Sequence, residues 1–244
     1  MRPNSGQEFM EKTKYKYLGE SDQQKELPQP PLTQGAEGKP VIELPRPEAI
    51  QVGSIDLTQA INQRKSVRKY SASSLTMEEL SYLLWCTQGV KQVTSRPATL
   101  RTVPSAGSRH PFETYLLVNR VDGLLPGIYR FVSVEHQLVA VDLTPGLAEK
   151  LTEMAYKQPM VKNSAVTFIW VAVAYRSIWR YQERSYRYMH LDAGHVCQNL
   201  YLAAEAVDSG VCAIAAFEDE AINALLGLDG VEQFVIYLAT LGKK

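Results

Sequence analysis

Residues 104–111 read Pro-Ser-Ala-Gly-Ser-Arg-His-Pro, and the interpretation of the whole chain starts from this loop. Small side chains allow the backbone of such a loop to lie close against a flat ligand. Two prolines stiffen it, and Arg109 and His110 follow the small residues directly. The loop leads into an apolar stretch that begins at Phe112, which places it at a sheet edge, where ligand sites are common. The alternative is an ordinary surface turn.

A second stretch, Arg64-Lys65-Ser66-Val67-Arg68, occurs earlier in the chain and is dense in cations. If the backbone is extended here, Arg64, Ser66 and Arg68 point to one side. Guanidinium groups offer paired donors to phosphate oxygens, and a serine hydroxyl adds a neutral donor. Together the two stretches predict one site for a phosphorylated, planar cofactor. A solvated basic face is the alternative for the second stretch alone.

Two further stretches carry candidate chemistry. Residues 179–188 alternate aromatic and cationic side chains, which can stack on a ring, donate a proton or stabilise developing negative charge. A partly exposed connector is the alternative there. Residues 211–217, Val-Cys-Ala-Ile-Ala-Ala-Phe, predict a short strand of small residues whose backbone N–H groups are accessible to a ligand ring. Such strands are more commonly plain core.

Composition and charge exclude several classes of protein. The chain has 244 residues, 45% hydrophobic and 21% charged, which suits one large globular domain. The 26 basic and 26 acidic residues give a net charge of zero, so neither nucleic acid nor an anionic membrane is expected as a partner. The longest apolar run, 166–174, is too short to span a bilayer, and the polar N-terminus resembles no secretory signal. We therefore expect a cytoplasmic protein.

Cysteines and histidines give no sign of a metal site. Cys86, Cys197 and Cys212 are scattered and form no CxxC pair, which indicates buried thiols in a reducing compartment, with a catalytic thiol as the alternative. His190 and His195 are five residues apart on a predicted helix and face different sides. No metal ligand is predicted.

Residues 1–50 are predicted to form an extended, proline-rich N-terminal arm that is not an element of the core. Prolines recur between residues 28 and 47 in a polar sequence, so the arm is either disordered or draped over a partner subunit. The regular domain occupies 51–244. Its predicted helices begin near Asp56, Thr76, Thr144, His190 and Asp219, and its predicted strands cover 112–118, 127–131, 137–142, 166–174, 211–217 and 234–241. This mixture predicts an α+β sheet covered by helices on both faces.

The stretches at 64–68 and 104–111, in this order, resemble the nitroreductase family of flavin enzymes, in particular its SagB-type dehydrogenase branch. The resemblance runs from about Asp56 to Gly242. It implies a nitroreductase-like three-layer α/β/α sandwich with a mainly antiparallel central sheet, and an intertwined homodimer with FMN at the interface. The implied activity is FMN-dependent hydride transfer between NAD(P)H and an electron-poor small-molecule acceptor. The alternatives are a dehydrogenase of a modified peptide or other natural product, and a non-catalytic flavin-binding protein.

The resemblance also implies roles for individual residues. Arg180 and Tyr181 are the candidate catalytic pair. The candidate FMN-binding residues are Arg64, Lys65, Ser66, Arg68, Ser105, Gly107, Ser108, Arg109, Ile214, Ala215, Ala216 and Lys243. Within this set, Arg64 and Lys65 are expected near the phosphate or ribityl chain, Arg68 near the pyrimidine edge of the ring, and the 214–216 backbone near N5.

Two positions depart from the family pattern. Ala215 stands where many nitroreductases have an acidic residue, so only a backbone role remains there. Arg180 stands in the region where azoline-oxidising SagB-type enzymes have a lysine, and a guanidinium is a poor general base. The second departure counts against oxidation of peptide thiazolines, while Tyr181 stays a candidate acid or ring contact.

Overall fold

A computed structural model describes residues 4–244, so the first three residues of the predicted arm lie outside the described range. Its helices are α1 (Ser5–Lys12), α2 (Leu57–Gln63), α3 (Met77–Gln88), α4 (Leu147–Met154), α5 (Met160–Asn163), α6 (Tyr175–Tyr181), α7 (Ser185–Ala206) and α8 (Asp219–Leu226). Its strands are β1 (Val41–Glu43), β2 (Val90–Val93), β3 (Thr99–Arg101), β4 (Phe112–Val118), β5 (Gly127–Val132), β6 (Gln137–Asp142), β7 (Val166–Val173), β8 (Ser209–Ile214) and β9 (Gln233–Lys243).

The central sheet runs in the order β1-β6-β5-β4-β7-β9-β8, and each neighbouring pair of these strands is antiparallel. The β-branched and aromatic run of β7 lies between β4 and β9, as expected for a strand whose side chains are buried on both faces. A separate ribbon pairs β2 with β3 just before the loop at 104–111. The mainly antiparallel α+β sheet predicted from the sequence is confirmed.

Helices cover both faces of this sheet. Side chains alternate along β4: Leu116 and Val118 belong to the core beneath α3 and α7, whereas Tyr115 and Leu117 belong to the core beneath α4, α5 and α8. Successive residues of a strand point to opposite faces, so each face of the sheet buries its own apolar layer. The result is the expected three-layer α/β/α arrangement.

Local signals explain the helix starts that the sequence predicted. The Thr76 hydroxyl accepts from the Glu79 N–H (3.2 Å) and the Glu79 carboxylate accepts from the Thr76 N–H (3.0 Å), so the capping box of α3 is confirmed. Asp56 caps α2 by accepting from the Gln59 N–H at 3.1 Å. In contrast, α4 begins three residues after the predicted Thr144, because Gly146 adopts a left-handed conformation (φ 87°) immediately before it.

The long helix α7 begins at Ser185, five residues before the predicted start at His190. Met189 is fully buried and Tyr186 packs on the same core, so the apolar stripe continues one turn further toward the N-terminus. Neither α7 nor any other helix within residues 4–244 is both long and apolar enough to cross a bilayer.

The N-terminal arm differs from the expectation of a segment outside the core. Val41–Glu43 pairs with β6 as the edge strand of the sheet, and Leu44 is buried. Residues 5–12 form a helix, and the stretch between α1 and β1 crosses the surface of its own chain. Sequence reasoning missed these contacts because a three-residue strand carries almost no periodic signal.

Buried arginines hold the middle of the arm in place through its backbone. Arg130 donates to the carbonyls of Gln34 (2.7 Å) and Gly35 (2.7 Å), and Arg176 donates to the carbonyl of Pro31 (3.0 Å). Both arginines reach these carbonyls from the folded domain, so the arm shields their guanidinium groups from water.

Glu113 of β4 supplies the negative charge that balances the buried guanidinium groups of Arg130 and Arg176. Its buried carboxylate accepts from Arg176 at 2.5 Å and lies 3.7 Å from a guanidinium nitrogen of Arg130. It also accepts from the Gln34 N–H at 2.8 Å. The arm, the sheet and α6 are therefore joined at one buried carboxylate.

Candidate functional site

The cationic stretch lies along the free edge of β8. Ser66 forms a parallel bridge with Val211, and the Val67 N–H donates to the Val211 carbonyl at 2.8 Å. A side chain at Gly210 would overlap the Val67 side chain, so this glycine is what allows the close approach. The predicted extended backbone is thus found at Ser66, and Arg64 stands just before it as the residue that ends α2.

Tyr201 of α7 joins the cationic stretch to the small-residue strand. Its hydroxyl lies 3.0 Å from the Ser66 hydroxyl and accepts from the Ala213 N–H at 2.9 Å. The Arg64 guanidinium stands 5.3 Å from the centre of the Tyr201 ring. Sequence reasoning missed Tyr201, whose only signal was a tyrosine on the apolar stripe of α7.

The cations of this stretch are free of ion pairs. Lys65 and Arg68 are exposed and Arg64 is half-buried, and none of the three is within salt-bridge distance of a carboxylate of residues 4–244. Unpaired charges beside the Ser66 hydroxyl suit an anionic ligand, because guanidinium and ammonium groups favour phosphate oxygens.

Arg68 does not share the side of Arg64 and Ser66. It lines a cavity of about 670 Å³ together with Tyr70, Arg120 and Met160, on the face covered by α5. The chain turns after Val67 toward the last strand. Arg64 and Ser66 both approach Tyr201, as the expected alternation requires, whereas Arg68 lines a different cavity.

The loop at 104–111 is tied to α7 by a buried carboxylate. Asp192 accepts from the Ser105 hydroxyl (2.6 Å) and from the Ala106 N–H (3.3 Å). The Ser105 hydroxyl in turn accepts from the His110 N–H at 2.9 Å, which closes the loop on itself. Burial raises the pKa of Asp192, and its hydrogen bonds from Ser105 and Ala106 oppose that shift. Asp192 is a second positioning residue that sequence reasoning missed.

The candidate catalytic pair packs against this loop. Gly107 has a φ of 56°, and a methyl group in its place would overlap the Tyr181 hydroxyl and approach the Arg180 side chain. Ser108 and His110 also have positive φ, a conformation that is costly for residues with side chains and is common at functional sites. The structure thus brings Arg180 and Tyr181 to the predicted ring-binding loop, although they are far away in sequence.

Arg109 turns away from the open side of the loop, and His110 beside it is buried. Arg109 is 4% exposed, donates to the Arg176 carbonyl at 2.8 Å and stacks 4.9 Å from the Trp179 ring. Its guanidinium is under α6, so the predicted side-chain contact with a cofactor is not supported. Burial, and then the charge of nearby Arg101, lower the pKa of His110 to about 3, which keeps its ring neutral.

The end of β8 offers free backbone donors. Ile214 is buried in the core beneath α8, so its side chain is structural. Ala215 and Ala216 follow the strand and are exposed, and within residues 4–244 their N–H groups donate to no protein acceptor. Unpaired N–H groups at an exposed strand end suit a ligand that presents acceptor atoms.

Lys243 is already neutralised by its surroundings. Its ammonium group forms an ion pair with Glu79 and donates to the Val207 carbonyl at 2.8 Å. The predicted phosphate contact of Lys243 is therefore not favoured by this arrangement.

Within a single chain, the loop at 104–111 and the cationic stretch do not line the same cavity. The loop contacts α7 at Asp192 and the cationic stretch contacts it at Tyr201, nine residues later, which is about 13.5 Å of helix. Ser105, Ser108 and His110 line a loop cavity of about 460 Å³ with Lys91 and Arg101, separate from the cavity of Arg68.

Comparison with known proteins points consistently to one family. The model of the nitroreductase family matches residues 61–243. A protein of Methanocaldococcus jannaschii that is named as a nitroreductase is 32% identical over 193 residues, covering 79% of this chain and 93% of that protein. The trifolitoxin-processing protein TfxB of Rhizobium leguminosarum bv. trifolii is 29% identical over 154 residues, which are 62% of this chain and 41% of that protein.

Solved structures share the fold. A nitroreductase structure from Anabaena variabilis superposes with a TM-score of 0.69 at 27% identity and covers 85% of this chain, which spans only 42% of that one. A nitroreductase structure from Desulfovibrio desulfuricans, described as a complex with FMN, has a TM-score of 0.54 at 17% identity and covers 78% of this chain and 86% of its own. At this identity the second likeness concerns the fold alone.

Proposed function

The chain belongs to the nitroreductase family, and we propose that it is an FMN-dependent oxidoreductase that moves hydride between NAD(P)H and an electron-poor small-molecule acceptor. The main support is the edge of β8. Unpaired cations and the Ser66 hydroxyl lie at one position along this strand, and two unpaired N–H groups follow its end. Three free thiols within residues 4–244 agree with a reducing, cytoplasmic setting.

The residues present at this edge fit FMN. Arg64, Lys65 and Ser66 would hold the phosphate, which needs several positive or neutral donors. Ala215 and Ala216 would orient the ring by donating their free N–H groups to its acceptor atoms. When bound, FMN supplies a ring that accepts and donates hydride, chemistry that protein side chains lack.

We further propose that the site is completed by a second copy of the chain. The loop at 104–111 and Arg68 of the cationic stretch line two separate cavities of one chain, so a second chain would be needed for both stretches to contact one FMN molecule. Exposed apolar side chains lie on α2, which leads into the cationic stretch, and on α7, which contacts both stretches: Leu57 and Ile61 of α2 and Leu191 of α7. Such a surface is typical of an interface, and a homodimer would bring the loop of one protomer to the cations of the other.

The roles proposed for Tyr181 and Arg180 follow from their position beside Gly107 of the loop. The Tyr181 hydroxyl rests against Gly107 and would donate a proton or a hydrogen bond to an acceptor placed over the loop. Arg180 is exposed and would stabilise negative charge that develops on that acceptor.

A second candidate function is oxidation of a modified peptide. It is favoured by the likeness to the trifolitoxin-processing protein over 62% of this chain. Arginine at position 180 counts against it, because a guanidinium does not serve as a general base.

The test is an absorbance spectrum of the purified protein followed by anaerobic mixing with NADH and with NADPH. We expect a flavin spectrum that one nucleotide bleaches and that a nitroarene or quinone restores. A protein that takes up no FMN would contradict the cofactor assignment. Bound FMN that neither nucleotide reduces would contradict the reductase, and loss of two hydrogens from a thiazoline peptide would then favour the second candidate.

A further inference from the structure

A cavity of about 460 Å³, here called the arm cavity, lies between the N-terminal arm and the end of α6. One wall is formed by Arg180, Tyr181 and Gln182, and the other by six residues of the arm: Tyr15, Leu18, Gly19, Ser21, Gln23 and Gln24. This volume is within the range of cavities that hold small molecules. The cavity is thus built from two segments that are far apart in sequence.

We propose that the arm cavity is the pocket for the hydride acceptor, that it selects small planar molecules carrying a carboxylate, and that the arm is its specificity-determining wall. The part of this inference that concerns the acceptor rests on the function proposed above. The part that concerns carboxylate binding is independent of it.

Four hydrogen bonds fix the arm wall to the end of α6. The Gln182 side chain accepts from the Gly19 N–H (3.1 Å) and donates to the Gly19 carbonyl (3.0 Å). The Gln23 N–H donates to the Trp179 carbonyl (2.9 Å), and the Trp179 indole donates to the Leu27 carbonyl (3.0 Å). A wall held at several points keeps one shape, as a selective pocket requires.

Aromatic rings connect the arm wall to the loop at 104–111. Tyr181 meets Tyr188 edge to face, with ring centres 5.0 Å apart, and the Tyr188 hydroxyl lies 2.6 Å from the Tyr15 hydroxyl of the arm. Tyr181 also touches Gly107 of the loop. A planar molecule in the cavity would therefore have an aromatic contact on one side and lie next to the loop.

The charge of the cavity favours an anion. Arg180 is exposed, and within the described residues its guanidinium has no carboxylate partner. Arg180 is the one charged side chain among the residues that line the cavity. Of the two acids that alternate with lining residues in the arm, Asp22 is bound by Tyr175 and Lys25, and Glu20 is exposed between Gly19 and Ser21. One guanidinium matches the two oxygens of a carboxylate.

The experiment compares 4-nitrobenzoate with its neutral isostere 4-nitrobenzamide by calorimetric titration of the full-length protein without an electron donor. We expect wild type to bind the benzoate about tenfold more tightly than the benzamide. Arg180→Gln should remove this preference. Arg96→Gln, which changes the same charge at an exposed position outside the cavity, should retain it.

The arm wall is tested by Gln24→Glu. The Gln24 side-chain oxygen accepts from the Ser21 N–H (2.8 Å) and hydroxyl (2.9 Å), and a glutamate can accept both, so the wall keeps its hydrogen bonds. The added negative charge should weaken benzoate binding several-fold and leave benzamide binding unchanged. Gln51→Glu, outside the cavity, is the control with the same change in charge.

Each outcome separates this inference from the proposed reductase. Equal affinities of wild type for the two ligands, in a protein that binds FMN and is reduced by NAD(P)H, would overturn the carboxylate pocket and leave the reductase intact. A clear preference in a protein without FMN would do the reverse. If Arg180→Gln loses the preference and Gln24→Glu behaves like wild type, the arm is not a specificity wall.

Discussion

Two groups of arginines in this molecule have opposite surroundings. Arg64 and Arg68 stand at the edge of the sheet, within reach of water and without a carboxylate partner among the described residues. The second group lies beneath the N-terminal arm and α6, and each member is at most 4% exposed. Its members are Arg101, Arg109, Arg130 and Arg176.

The difference shows what decides the role of an arginine. A buried guanidinium must have its donors satisfied, and here backbone carbonyls and the Glu113 carboxylate satisfy many of them. Burial also lowers the pKa of Arg101 to about 10, a sign of how poorly this region tolerates another positive charge. The exposed arginines have no such structural partners, which leaves their donors available to a ligand.

The strongest test of this comparison removes the buried carboxylate. Glu113→Gln keeps the shape of the side chain and leaves the guanidinium groups of Arg130 and Arg176 without a counter-charge. We expect a loss of about 3–5 kcal/mol in the free energy of unfolding, measured by urea titration. Glu43→Gln on β1, whose pair with Arg46 is exposed, should cost less than about 1 kcal/mol. Similar losses in the two variants would show that the buried cluster has no special role.

A smaller effect is expected from Arg130→Met, which releases the arm. The backbone carbonyls of Gln34 and Gly35 lose their charged donor, so we expect a loss of about 2–3 kcal/mol in stability. Cleavage after exposed Glu37 by a glutamate-specific protease, followed by mass spectrometry, should accelerate in this variant. The control is Arg46→Met, an exposed arginine that also donates to a carbonyl. An unchanged cleavage rate would mean that other contacts hold the arm.

The burial of His110 beside these arginines also predicts a pH dependence of stability. Because the pKa of His110 falls to about 3 in the folded state, the unfolded chain binds a proton below pH 6.5 that the folded chain does not. Stability should therefore fall as the pH falls, by about 2 kcal/mol between pH 7.5 and 5 from this residue. His110→Asn, which tolerates the positive φ, should reduce this dependence, whereas exposed His190→Asn should keep it. A dependence that is equal in both variants would contradict a neutral His110.

The smallest predicted effect concerns Arg64, one of the two arginines at the edge of the sheet. Arg64→Ala should weaken FMN binding about tenfold, equivalent to about 1.4 kcal/mol, as measured by fluorescence titration of the apoprotein. Unfolding of the apoprotein should change by less than about 0.5 kcal/mol, because Arg64 has no ion pair in the described residues. If Arg64→Ala destabilises the fold as much as Arg130→Met does, the two groups are not distinct in function.

Local patterns predicted most of the fold and part of the site. The capping box at Thr76–Glu79, the β-branched run of β7 and the cationic stretch beside Ser66 were recognisable because their signals involve residues a few positions apart. The loop at 104–111 was predicted to let its backbone lie close to a flat ligand, because its small side chains allow such an approach.

Packing between distant segments decided the rest. The inward turn of Arg109, the ion pair of Lys243 with Glu79, the support from Asp192 and Tyr201, and the arm wall over Arg180 depend on which segments meet in space. Burial and charge pairing depend on tertiary contacts between distant segments, so they cannot be read from a short stretch of neighbouring residues. A one-dimensional pattern can therefore propose the residues that bind a ligand, while the folded chain selects which of them are free to do so.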